Sequence, residues 1–185
     1  MILDFFGYKS NKKLRKISQS KYMLKDRYTK IVDFLKNNIK NDIVIVCIGT
    51  NRTNLVDSLG PFVGSLLKED KEFNIPVYGS LVSPINAKNL VGKITEIKNK
   101  HPYSMLIAVD AALCDEEDIG SIVISHEPLH PGAGIGNKCG EFGDISIKGL
   151  VAPNDIDVIN YDTDLDFISV MAYTIAKGLK KSFEK

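Results

Sequence analysis

The chain predicts an α/β fold, a three-layer arrangement with a mainly parallel sheet between helices. Three observations carry that expectation. Residues 43–49 and 105–109 are continuous apolar runs without polar alternation, the pattern of strands covered on both faces. Between such runs lie segments whose apolar residues recur every three or four positions, the period of an amphipathic helix. The two kinds of segment alternate along most of the chain, which favours crossover connections between parallel strands.

Each element follows from its local pattern. Residues 1–20 carry a short apolar patch and then a Lys-, Ser- and Asn-rich stretch, expected to form a flexible segment ahead of a single domain over 21–185. Leu24, Tyr28, Ile31, Leu35 and Ile39 are in helical step, so a helix is expected over 21–39. The strand over 43–49 comes next. A second helix is expected over 58–68, with Leu59, Phe62, Val63, Leu66 and Leu67 on one face. Pro61 falls in its first turn, where the missing N–H has no intrahelical partner to lose. Residues 76–82 read as a strand closed by Ser83-Pro84, and 87–100 as a helix presenting Ala87, Leu90, Val91, Ile94 and Ile97. Strands are expected at 105–109, 121–125 and 144–151. A last helix is expected over 163–180, with Leu165, Ile168, Ala172, Ile175 and Leu179 in step.

Composition narrows the function classes. A chain of 185 residues suits one domain, and such a domain buries roughly 70% of its unfolded surface. Hydrophobic residues at 44% with 25% charged are ordinary for a soluble globular protein. The net charge of +1 gives no global footprint for nucleic acid. Lys and Arg do cluster between Lys9 and Arg27, which reads as a solvated arm or a contact for an acidic surface. Cys47, Cys114 and Cys139 are odd in number and widely spaced, with neither a disulfide framework nor a metal knuckle, as expected in a reducing cytosol. No apolar stretch approaches the ~20 residues that cross a bilayer. The opening residues 1–6 are too short and wrongly ordered for a secretory signal. A cytoplasmic protein without nucleic-acid or membrane partners is expected.

Two acids stand out. Asp57 follows the first strand across a loop, and Asp110 directly follows the run 105–109. In parallel sheets ligands bind beyond the carboxyl ends of the strands, so neighbouring strands would bring both carboxylates to one cleft. Asp57 also stands where an N-cap of the second helix belongs, and the two roles are compatible. Asp110 is poorly suited to a strand interior, which leaves a turn or a site at the mouth of the sheet. The third feature is the segment 130–138, where alternate glycines allow consecutive amides to form a nest for an anion or a developing oxyanion, with Lys138 beside it. It is not a Walker A loop, because Cys139 stands where Ser or Thr is required, and a plain connector fits equally well. His126 and His130 are candidates for a third ligand or proton carrier. His101 is read as a helix-terminal cation. Acidic neighbours from Asp115 to Asp118 would raise the Cys114 pKa, which argues against a thiolate nucleophile.

Three stretches carry a family resemblance. They are Cys47-Ile48-Gly49-Thr50 with Asp57-Ser58-Leu59-Gly60-Pro61, then Ile107-Ala108-Val109-Asp110-Ala111, then Pro128-Leu129-His130-Pro131-Gly132-Ala133-Gly134-Ile135-Gly136-Asn137-Lys138. In this order, and with Val77-Tyr78-Gly79-Ser80-Leu81 between them, they resemble the sporulation protein YyaC family. That family is similar in turn to the germination protease of bacterial spores and, in fold, to hydrogenase maturation proteases.

The resemblance implies a phosphorylase/hydrolase-like α/β domain and an endopeptidase. Asp57 and Asp110 would share a proton and activate a water against a peptide carbonyl. Gly132, Gly134, Gly136, Asn137 and Lys138 would bind the substrate, the amides of Gly134 and Gly136 facing its oxyanion. The substrate would be a peptide or protein, such as the small spore proteins, in the cytoplasm of the sporulating cell or forespore. No cofactor is required on this reading. A divalent metal held by Asp57, Asp110 and His130 or His126 is the alternative chemistry, and a non-enzymatic sporulation factor that binds a peptide or partner in the same cleft is the alternative function.

Overall fold

A computed structural model describes residues 25–39, 42–52, 56–129, 141–157, 161 and 163–184. In chain order the described elements are α1 (Lys25–Asn38), β1 (Ile43–Cys47), α2 (Leu59–Glu69), β2 (Val77–Tyr78), α3 (Leu90–Lys100), β3 (Met105–Cys114), β4 (Ile122–Ser125), β5 (Ile145–Pro153) and α4 (Leu165–Phe183). The strands form one sheet in the order β2-β1-β3-β5-β4. All neighbours are parallel except β4, which runs antiparallel to β5. The expected α/β architecture with a mainly parallel sheet is therefore what the chain adopts. The first 20 residues lie outside the described ones.

The apolar runs are buried on both faces, as their lack of alternation requires. Ile43, Ile45 and Cys47 join Ile107, Val109, Ile145 and Ile147 beneath α1, α2 and α4, which contribute Ile31, Leu35, Leu59, Phe62, Ile168 and Ile175. Val44 and Val46 face the other way, with Leu106 and Ala108, beneath Leu90 and Ile97 of α3 and beside Ile85, Leu129 and Phe142. α4 packs against both α1 and α2. A Cβ at its Gly178 would press on Ile31 of α1 at 2.9 Å, so this crossing needs a glycine. Among the described residues no helix is long and apolar enough to cross a membrane.

Element ends depart from the sequence expectation for local reasons. β2 pairs over only two residues, because Gly79 turns the chain with φ +83° and Ser80 N–H then donates to the Ser83 carbonyl at 3.0 Å. α3 starts three residues late. Asn86 and Asn89 first brace a turn, with Asn86 N–H donating to Asn89 Oδ1 and Lys88 N–H to Asn86 Oδ1, both at 3.0 Å. At α4, Asp164 is the cap and accepts from Asp166 N–H at 2.8 Å. The largest departure is β3, which does not stop before Asp110 but runs on to Cys114. β5 continues beside it through Asp110↔Lys148, Ala111↔Gly149 and Ala112↔Leu150, so the extra residues keep a backbone partner.

α2 reaches the sheet through glycines. A Cβ on Gly60 would run into the Ile48 carbonyl, and one on Gly64 into the Gly79 carbonyl. Gly79 in turn lies against the Cys47 carbonyl. The helix thus rests directly on the backbone at the end of β1 and on the turn after β2. Gly92 of α3 has nothing within 4 Å of where its Cβ would be.

These two environments predict opposite outcomes for the same substitution. Gly64→Ala is expected to destabilise the fold by about 1–3 kcal/mol or more, since backbone must move to admit the methyl group. Gly92→Ala is expected to stabilise it by roughly 0.4–1 kcal/mol through helix propensity and a less flexible unfolded chain. Urea denaturation midpoints measure both, and equal shifts of one sign would contradict the packing described.

Candidate active site

Gly49 ends β1 with φ +141°, a conformation that side-chain-bearing residues rarely adopt, and sends the chain away from the sheet. The chain returns in a short 3-10 turn, Val56–Ser58, ahead of α2. Two contacts close this excursion. Thr50 N–H donates to the Asp57 carbonyl at 2.9 Å, and Thr50 Oγ1 donates to Asp57 Oδ1 at 2.9 Å. The Arg52 guanidinium stands 3.6 Å from Asp57 Oδ2. Asp57 is not the helix cap that its position suggested. Ser58 occupies that place, and its side chain makes no cap hydrogen bond. The Asp57 carboxylate is instead held as an acceptor by Thr50 and Arg52, with 27% of the side chain exposed.

Asp110 sits in the middle of β3 rather than after it, which corrects the expected strand end. The paired register of β1 with β3 stops at Cys47↔Val109, so Asp110 is the first β3 residue past the end of β1. Its side chain is half-buried and points to the same face as Ala108, opposite Val109. Asp110 Oδ1 accepts from Ala111 N–H at 2.8 Å.

Burial pushes the Asp110 pKa up to about 8, and the nearby Asp57 charge adds to the rise. The Ala111 amide and the Lys148 cation act in the opposite direction without cancelling it. The two aspartates, 53 positions apart by their numbers, are thus close enough for one charge to bear on the other. At neutral pH this arrangement sets a protonated Asp110 carboxyl near Asp57, whose side chain accepts from Thr50.

The other candidates separate from this pair. His126 follows β4, whose antiparallel run carries it away from the end of the sheet where Asp110 stands. There its ring packs on Phe34 of α1 at 5.0 Å and Nε2 hydrogen-bonds Asn38 Oδ1 at 3.0 Å. It is not a third ligand for the aspartates. His130, Gly132, Gly134, Gly136, Asn137, Lys138 and Cys139 lie outside the described residues. The described ends of that segment are tied by reciprocal hydrogen bonds between Leu129 and Phe142, both buried on the α3 face. His101 ends α3 and pairs its ring with the Tyr78 hydroxyl at 2.9 Å. Cys47 and Cys114 are buried free thiols, and burial raises the pKa of each.

No group of three or more His, Cys, Asp or Glu side chains gathers among the described residues. The two carboxylates stand in the field of two cations, Arg52 and Lys148.

Thr50, Arg52 and Lys148 are the neighbours that sequence reading left without a role. Lys148 carried one usable signal, a lone charge within the apolar run 145–151. Its register with Asp110 has no such signal.

A family model described as "Protein of unknown function (DUF1256)" matches residues 19–178. "Uncharacterized protein YyaC" of Bacillus subtilis (strain 168) is 41% identical over 141 residues, which cover 74% of this chain and 67% of that protein. Among solved structures, the NiFe hydrogenase maturation protease HycI from Thermococcus kodakarensis KOD1 superposes with a TM-score of 0.46 at 20% identity, over 80% of this chain and 99% of that one.

Because the folded chain holds the Asp110 proton more tightly than the unfolded chain does, Asp110 favours folding most below about pH 4. That contribution is lost as the pH rises toward about 8. Asp110→Asn, which does not titrate, is expected to flatten this part of the curve. Thermal melts from pH 4 to 9 read the difference, and parallel curves for the two proteins would show that Asp110 titrates normally.

Proposed function

The chain belongs to the DUF1256 family, and from that footing we propose that it is an endopeptidase working with Asp57 and Asp110. The observation that carries this reading is the pairing of Asp110, a half-buried carboxyl whose pKa desolvation pushes up to about 8, with the nearby Asp57. An acid whose surroundings raise its proton affinity, set beside a second acid, allows the pair to divide the roles of acid and base.

In this mechanism the Asp57 carboxylate takes a proton from a water molecule, whose oxygen attacks the carbon of a peptide carbonyl. Asp110 gives its proton to the carbonyl oxygen, leaving a neutral tetrahedral diol. In the second step the diol returns one proton to Asp110, and Asp57 passes its own to the amide nitrogen. The C–N bond then breaks to give an acid and an amine. Thr50 holds Asp57 Oδ1 in place, leaving Oδ2, beside Arg52, to meet the water. The Ala111 amide occupies Asp110 Oδ1, so the proton resides on Oδ2. The segment carrying Gly132, Gly134, Gly136, Asn137 and Lys138 is assigned to the substrate backbone on its sequence pattern. Protein substrates of the small spore class, met in the cytoplasm of a sporulating cell, belong to this proposal through the sequence resemblance.

Arg52 supports a second reading. A guanidinium already beside Asp57 occupies an oxygen that the water would need and suits a cleft that binds a peptide without cutting it.

Incubation of the purified full chain with small spore proteins separates the two. Cleavage is expected from the wild type, with a loss of about 100-fold or more in Asp57→Asn and Asp110→Asn. The rate is expected to fall above about pH 8, where Asp110 loses the proton it donates. Equal cleavage by all three proteins would remove the aspartates from the mechanism. A stable complex without cleavage, lost in both variants, would replace the peptidase by the binding reading.

A further inference from the structure

Asp110 has a neighbour on the sheet that the two-aspartate scheme does not use. In the β3–β5 ladder its register partner is Lys148. Ile145 and Ile147 of β5 face the α1, α2 and α4 layer, so Lys148, alternating with them, faces the other side, as Asp110 does. In-register residues of adjacent strands lie about 4.8 Å apart across the sheet, within reach of a lysine side chain. On the other flank of Asp110 the paired register with β1 has already ended at Val109. Beyond Lys148 in the same row stands Val123 of β4. A row of valine, lysine and aspartate thus crosses the sheet at the level of the site. Lys148 is half-buried, within a strand whose other residues are mostly buried.

Resting on the peptidase reading above, we infer that Lys148 is the positioning residue of this site, its place one strand away from Asp110 letting its ammonium offset the charge that develops there. The chemistry makes the need specific. When Asp110 passes its proton to the carbonyl oxygen it becomes a carboxylate in a desolvated place, near Asp57. A cation one strand away in register opposes that cost, and it acts on the reacting state more than on the bound substrate. Burial and Asp57 raise the proton affinity of Asp110, whereas Lys148 lowers it. Lys148 acts through Asp110, so its removal slows turnover and leaves substrate binding largely intact.

The test uses the full chain with Lys148→Met, which keeps the apolar stem, and Lys148→Arg, which keeps the charge. Against small spore proteins, Lys148→Met is expected to lose roughly 10- to 100-fold in kcat with KM within about 2-fold, and Lys148→Arg to recover most of it. Thermal melts at pH 9, above the Asp110 pKa of about 8, supply a readout independent of cleavage. There Lys148→Met is expected to lower Tm by about 2–4 °C in the wild-type background and to have little effect in the Asp110→Asn background. Equal Tm changes in both backgrounds would overturn the pairing, and a loss confined to KM, or unrescued by arginine, would overturn the positioning role. If the wild type cleaves nothing, the peptidase reading fails by itself, and the melts still decide whether Lys148 serves Asp110.

Discussion

The arrangement depends on a contact made without side chains. Gly60 and Gly64 bring α2 down onto the Ile48 and Gly79 carbonyls, and Gly79 seats itself on the carbonyl of Cys47. Gly49 faces the Asp57 carbonyl in the same way. A layer of Cβ atoms at these positions would lift the start of α2 away from the end of β1 and carry Asp57 with it. Dense packing of backbone on backbone leaves little room for that helix to shift. The position of one carboxylate over the sheet is therefore decided by where methyl groups are missing, with Thr50 adding the last two hydrogen bonds.

The second carboxylate reaches the same region by another physical route. Asp110 belongs to a strand, where its backbone is provided for on the β5 side, and only the acid itself is costly to bury. Taking up a proton relieves that cost, since the neutral carboxyl needs far less solvation than the anion. Asp57 stays partly exposed and is supported by a hydroxyl and a guanidinium. Two residues of one type thus differ in chemistry because one rides on the sheet and the other on a surface turn.

Much of this was legible in the chain. Unalternating apolar runs gave the central strands, helical spacing gave α1 to α4 within a few residues, and the two aspartates stood out against apolar surroundings. What escaped depended on pairing between distant segments. Nothing local says that β5 accompanies β3 beyond Val109, so Asp110 read as a strand end when it is a strand interior. Nothing local gives β4 its direction either, and a parallel β4 would have carried His126 toward the mouth that it leaves. Asp57 had the look of a cap because it precedes an apolar helix, but Thr50 had already claimed its carboxylate. Lys148 became meaningful only once its register partner was known.

The unequal lengths of two neighbouring strands explain where the two acids stand. β1 spans five residues and β3 ten, starting level at Ile43↔Met105. Past Cys47 the sheet therefore steps down on the β1 side while β3 and β5 continue together. Asp110 is the first residue on the upper side of that step, and Asp57 returns over the lower side, where β1 has turned away at Gly49. Had β3 ended at Val109, the acid would hang on a loop and its direction would vary with that loop. Held inside a paired strand, it keeps a fixed height and face relative to its neighbour on β5. On the other side of the step the Thr50 hydroxyl holds Asp57 Oδ1 and the Arg52 guanidinium stands beside Oδ2.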